Sequence, residues 1–185
     1  MPTRPKVLAL LAGLAALGAS AGAPASAAFG ARAPAGHRST AGAPAALRRS
    51  LNLWATIDVC NPADQPDYVG VRGSMPGDKL ATDEIYMRFR LQVMGPSGKG
   101  WVDLPGGSSP GFIRVSSALK ARQGGWSFRL TPRAASAVTL RGVVTFEWRR
   151  GATVLAQLSR PTTAAHESLA GADPPGYSAA TCSIG

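Results

Sequence analysis

The sequence predicts an all-β protein, an antiparallel β-sandwich of seven to nine strands. Three observations predict it. Apolar and polar residues alternate through Glu84–Met94 and again through Val138–Arg149. Turn signals rich in Gly, Pro, Asn, Asp and Ser recur at short intervals from residue 61 onward. No stretch carries the apolar spacing of a long helix, and Ser117–Arg122 is the best candidate even for a short one. Period-two alternation puts one set of side chains on a core and the other in solvent, as a half-buried antiparallel strand requires.

The chain opens with a different kind of segment. Arg4 and Lys6 form a short basic start, Val7–Leu17 is an apolar run, and Ala25-Ser26-Ala27 offers a small-x-small cleavage site before Ala28. These are the three parts of a secretory signal peptide, residues 1–27. The apolar run is about half the roughly 20 residues a membrane span needs. Ala19-Ser20-Ala21 permits an earlier cut. Residues 28–52 are Ala-, Gly- and Pro-rich with scattered Arg, and 28–50 hold only Phe29 and Leu47 as bulky apolar side chains. Such a segment buries too little surface to offset its ordering entropy and reads as a flexible spacer, with a helical turn allowed over Ala45–Ser50. The β domain then occupies residues 53–185.

Within that domain the strands follow one another between turns. Leu53–Val59 is apolar and β-branched and ends at Cys60; Tyr68–Ser74 is shorter and stops at Met75-Pro76-Gly77-Asp78. In Glu84–Met94, Ile85, Met87, Phe89, Leu91 and Val93 face the core, while Tyr86, Arg88, Arg90 and Gln92 face out. Trp101–Leu104 and Phe112–Val115 flank a Gly-rich loop. Gly125–Thr131 places Trp126, Phe128 and Leu130 inward and Arg129 outward. Val138–Arg149 places Val144, Phe146 and Trp148 inward and Arg141, Thr145, Glu147 and Arg149 outward. Arg150-Gly151 reads as a tight hairpin into Ala152–Ser159, and Tyr177–Ile184 closes the domain.

On the strand count, the Trp-bearing core strands and the closing hairpin, residues 53–185 resemble the immunoglobulin-like or fibronectin type III-like modules of secreted bacterial proteins. The resemblance implies a sandwich architecture and carries no diagnostic functional motif. The cysteines depart from antibody-type domains, whose pair joins the second and sixth of seven strands; here they lie on the first and last.

Two cysteines, Cys60 and Cys182, are the whole complement. In an oxidising compartment an even pair is most simply a disulfide. Closing a loop of this length is worth roughly 4–5 kcal/mol by chain entropy. An intermolecular bridge or two free thiols are the alternatives. The net charge of +10 falls to about +8 once the leader is removed. From Leu53 onward, 14 basic side chains face 10 acidic ones. A mildly basic exported domain attracts anionic partners. The expected partner is an anionic cell-envelope polymer or another extracellular protein. No nucleic acid partner, no cofactor and no span in the mature chain are expected, and the expected location is extracellular.

Chemistry has few candidates. His37 lies in the spacer, leaving His166, which with Asp173 and a serine would make a hydrolase triad, yet no Gly-x-Ser-x-Gly turn presents the serine. Ser117-Ala118-Leu119-Lys120 lacks the companion elements of the acylating enzymes it matches, and Gly95–Gly100 lacks the spacing of a phosphate loop. Asp83 and Glu84, adjacent on a strand, point to opposite faces and cannot cooperate. Asp64, Asp67, Asp78 and Asp83 read as turn residues before they read as a calcium site. No catalytic residue and no metal ligand is therefore assigned. One constellation stands out: Arg88, Arg90, Arg129, Arg141 and Arg149 would share one exposed sheet face if their strands are neighbours, opposed only by Glu147. Guanidinium forks suit carboxylates and phosphates. The expected function is a non-enzymatic module that binds or spaces at the envelope through this face. A His166 hydrolase and a purely structural contact module are the alternatives.

Overall fold

Glu84–Met94 (β3) and Val138–Arg150 (β7) form the spine of the computed structural model, paired antiparallel over ten residues from Glu84↔Arg149 to Val93↔Leu140. The structure describes residues 45–131, 137–166 and 170–185. The leader 1–27, His37, the greater part of the spacer and Glu167 lie outside the described residues. β7 carries Thr153–Pro161 (β8) along one half of its far edge and Cys182–Ile184 (β9) along the other. β3 carries Trp101–Ser108 (β4) and Ile113–Ser117 (β5) in the same divided way. This six-stranded sheet packs on a second, three-stranded one, ordered Trp54–Cys60 (β1), Tyr68–Met75 (β2) and Arg122–Arg129 (β6). All the strand ladders are antiparallel. The fold is an all-β sandwich, as the alternation predicts.

The core is the set that alternation selects. Ile57, Val69, Val71, Ile85, Met87, Phe89, Leu91, Val144, Phe146 and Trp148 are buried between the sheets. The sheets are tightly apposed at Gly142, where an added Cβ would lie 2.8 Å from Val71 of the opposite sheet and 2.7 Å from Thr162. Gly142→Ala is therefore expected to lower the unfolding free energy by about 1–3 kcal/mol through overpacking. Urea denaturation measures it; an unchanged midpoint would mean that the sheets can separate at no cost.

Ala45–Arg48 (α1) is a single helical turn at the end of the segment read as spacer; its Leu47 packs against the core, and the Arg48 carbonyl accepts from Arg160. At the far end, residues 162–166 and 170–181 run back along β1. Thr163 N–H donates to Ala55 O, Ile57 and Ala179 exchange two backbone bonds, and Asp173 N–H donates to Asp58 O. The free edge of β1, which would otherwise be open to strand addition, is covered by this return. Cys60 and Cys182 are joined, with their Cα atoms 5.6 Å apart. The bond ties β1 of one sheet to β9 of the other.

Four local expectations are corrected. Ser117–Arg122 forms no helix: Ser117 ends β5, and the backbone of Ala118 is committed to Asp83 O and Lys79 N–H. β6 accordingly starts at Arg122 rather than Gly125. The closing strand is only Cys182–Ile184, because Tyr177–Thr181 belongs to the return along β1. Trp126 is 36% exposed, since β6 is an edge strand with β2 as its one neighbour.

Candidate functional site

The outer face of the six-stranded sheet carries Glu84, Tyr86, Arg88, Arg90 and Gln92 from β3 and Arg141, Val143, Thr145, Glu147 and Arg149 from β7, rung against rung. The structure brings together four of the five arginines read as a face: Arg88, Arg90, Arg141 and Arg149. It does not bring Arg129, which lies on β6 of the other sheet, paired with Tyr68. Arg114 of β5 takes the fifth place, opposite Tyr86.

These side chains sort into two closed clusters. At one end, Tyr86 Oη donates to Glu84 at 2.8 Å, and Arg114 pairs with the same carboxylate. The carboxyl of Glu84 is held below its usual range by the Tyr86 hydroxyl first and Arg114 second, and the Tyr86 phenol is raised in return. Arg149 lies over the Tyr86 ring, 4.2 Å from its centroid, and beside Phe112 at 5.0 Å. Its Nε donates to Glu147, whose other oxygen accepts from Gln157 at 2.8 Å. Glu147 is only 4% exposed, so a carboxylate on a nominally outer face is buried by its own partners.

At the other end, Asp103 of β4 accepts from Arg90 at 2.7 Å and from Gln92 at 2.8 Å, and Gln92 in turn accepts from Arg141 Nε. The Asp103 carboxyl is lowered chiefly by the Gln92 amide, then by the field of Arg90. Arg141 lies over the Trp101 ring at 4.5 Å, and burial pushes its guanidinium pKa down. Trp101 is thus an outer-face residue and not part of the core.

Between the clusters lies the rung Arg88–Thr145–Ser159. Thr145 and Ser159 share one hydroxyl–hydroxyl bond of 2.8 Å. Arg88 is exposed and makes no hydrogen bond or ion pair among the described residues; it acts on Asp103 only through its field. A cavity of about 260 Å³ opens here, lined by Arg88, Arg90, Phe112, Thr145, Gln157 and Ser159 among others. Five arginines against Glu84, Asp103 and Glu147 leave the face with a surplus of two positive charges. Glu84, Asp103 and Arg114 were beyond sequence reasoning as partners, because alternation does not reveal that β4 and β5 both pair with β3.

Arg129 borders a different cavity, about 420 Å³, at the end of the sandwich among Val93, Leu104, Leu130, Leu140 and Ile184.

His166 sits in the return along β1. Its ring stacks on Trp54 with centroids 4.4 Å apart, Nε2 bonds Thr163 Oγ1 at 3.0 Å, and its backbone N–H donates to Ser178 Oγ. Ser178 is bonded in turn to Thr56 Oγ1 at 2.7 Å. Ser178 therefore meets the backbone of His166, not its imidazole, and among the described residues the ring's one side-chain hydrogen bond is to Thr163 rather than to Asp173. Burial lowers the His166 pKa. A folded pKa below the unfolded one means stability that is full above about pH 6.5 and declines as pH falls. Wild type is expected to melt lower at pH 5 than at pH 7.5, and His166→Phe to lose most of that difference; equal pH dependence in both would contradict the assignment.

Asp83 is fully buried and held by both oxygens on Arg150, at 2.7 and 2.9 Å, and its carboxyl is lowered mainly by that pairing. The neighbouring Asp78 is raised, first by its own burial. Among the described residues no group of three His, Cys, Asp or Glu side chains is placed to hold a metal ion. Compared with protein-family models, with curated proteins and with solved structures, the chain matches none.

Proposed function

We propose that this is an exported, non-enzymatic β-sandwich module of the immunoglobulin-like or fibronectin type III-like kind. It holds an anionic polymer of the cell envelope on the outer face of its six-stranded sheet. The observation that carries the reading is the middle rung. Arg88 stands exposed without a hydrogen-bonding partner among the described residues, beside Arg90 and a cavity, while the flanking arginines are fixed by carboxylates and rings. Guanidinium groups held in place lose less entropy on binding than free ones, so the flanks preorganise the face. The cross-sheet disulfide is compatible with an extracellular location. Among the described residues no helix is long and apolar enough to cross a membrane. The alternative of hydrolysis at His166 has the Thr163 hydroxyl on the imidazole, but among the described residues no carboxylate is bonded to the ring to complete a triad.

The test is retention on an immobilised envelope-polymer preparation. Wild type is expected to bind at low ionic strength and to elute as salt screens the exposed charges. Arg88→Ser/Arg90→Ser should lose retention at an unchanged melting temperature, while Arg122→Ser on the opposite sheet keeps it. Retention that survives in the double variant would overturn the reading, as would hydrolysis of the polymer lost on His166→Ala.

A further inference from the structure

We infer that the cavity at the middle rung takes one carboxylate-bearing sugar unit of an acidic polysaccharide. The inference rests on the binding reading above and narrows it to a ligand class.

The inventory of unspent hydrogen-bonding groups decides the class. Arg88 offers an uncommitted guanidinium, and Arg90 uses Nη1 on Asp103. One carboxylate satisfies such a pair, since the fork geometry of arginine matches its two oxygens. The remaining polar groups are not cationic. In the Thr145–Ser159 pair one hydroxyl donates and the other keeps its proton, so the pair presents one donor and several lone pairs. Gln157 uses one of its two amide N–H groups on Glu147, leaving the second N–H as a donor and its carbonyl oxygen as an acceptor. A site that sets donors and acceptors together beside the cations suits a ligand that carries both.

Ring hydroxyls donate and accept, and a sugar acid brings both these and the carboxylate. A phosphodiester brings acceptors alone, and would leave the Gln157 carbonyl, with Glu147 immediately behind, without a donor. The charge balance agrees: phosphate polymers are held by rows of uncompensated cations, whereas three acids here offset five arginines. Phe112 supplies an apolar wall for a ring's C–H face, as aromatic side chains commonly do. The volume of about 260 Å³ lies just below the ~300–1,000 Å³ range of small-ligand pockets, which suits one ring with its neighbours in the chain lying outside.

Isothermal titration with three probes tests this: oligogalacturonic acid, inorganic polyphosphate and neutral dextran. Oligogalacturonate is expected to bind, polyphosphate at least tenfold more weakly, and dextran not measurably. Arg88→Ser should weaken oligogalacturonate at least tenfold. Ser159→Ala and Thr145→Val should each weaken it several-fold with the melting temperature unchanged. Polyphosphate binding as tightly as oligogalacturonate would overturn the sugar assignment and leave the anion-binding face standing. Binding of dextran as tight as that of oligogalacturonate would remove the role of the arginines. If none of the three binds, and the envelope polymer is not retained either, both the assignment and the reading beneath it fall.

Discussion

Cys60→Ser/Cys182→Ser is expected to lower the unfolding free energy by about 4 kcal/mol. The bond closes a loop of 122 residues, almost the whole domain. Chain entropy alone assigns roughly 4–5 kcal/mol to a loop of that size. The location adds a second reason. β9 has only three residues paired with the end of β7, too short to hold itself in place. Without the bond, β9 and the return along β1 depend on a few backbone contacts and on the His166–Trp54 stack. Urea denaturation of wild type and the double variant measures the loss. A midpoint shift corresponding to less than about 1 kcal/mol would show that the return segment is held by its own contacts. In the oxidised protein, the intact mass should rise by two units on reduction, and a halved mass would mean an intermolecular bridge instead.

Trp148→Ala is expected to cost about 3–5 kcal/mol, the range for deleting a buried aromatic ring. Trp148 is the largest fully buried side chain, flanked in register by Ile85 and Ala156. Its Nε1 donates to Pro76 O at 2.9 Å, across 72 residues of sequence. That bond anchors the turn after β2 to the spine of the other sheet, so the ring both fills the core and spans the two layers. Trp148→Phe separates the two contributions. It retains most of the apolar volume and leaves the Pro76 carbonyl without its donor, for an expected cost of about 1–3 kcal/mol. Equal losses in the two variants would assign the whole effect to the hydrogen bond.

Much of the fold was legible because alternation speaks directly about burial. Ile85 through Leu91 and Val144 through Trp148 lie where their period-two pattern puts them, and the Arg150-Gly151 hairpin follows from its turn residues. The pairing of Cys60 with Cys182 followed from there being only two. What alternation does not carry is which strand lies beside which. Arg129 alternates on β6 as Arg88 does on β3, yet the chain crosses between sheets at Ala118–Ala121, so the two never share a face. The face itself was read as five cations opposed by Glu147 alone. The structure adds Glu84, which holds Tyr86 and Arg114, and Asp103, which reaches Arg90 and Gln92 only through the β3–β4 register. Trp101 illustrates the same limit, since a tryptophan beside a Gly-rich loop fits core or surface equally until its neighbour Arg141 is known. The helix suggested by Ser117–Arg122 failed for a related reason. The backbone groups of Ala118 are taken by Asp83 and Lys79, 35 and 39 positions away, and tertiary pairing overrides local preference.

Backbone amide shift mapping by NMR, with oligogalacturonic acid added to the full chain, tests the central claim most directly. The account predicts that perturbed amides cluster on the middle rung, at Arg88–Arg90, Thr145 and Gln157–Ser159, with Phe112 beside them. Perturbation confined to the end cavity around Leu104 and Arg129, or to the open edge of β6 at Trp126, would contradict it.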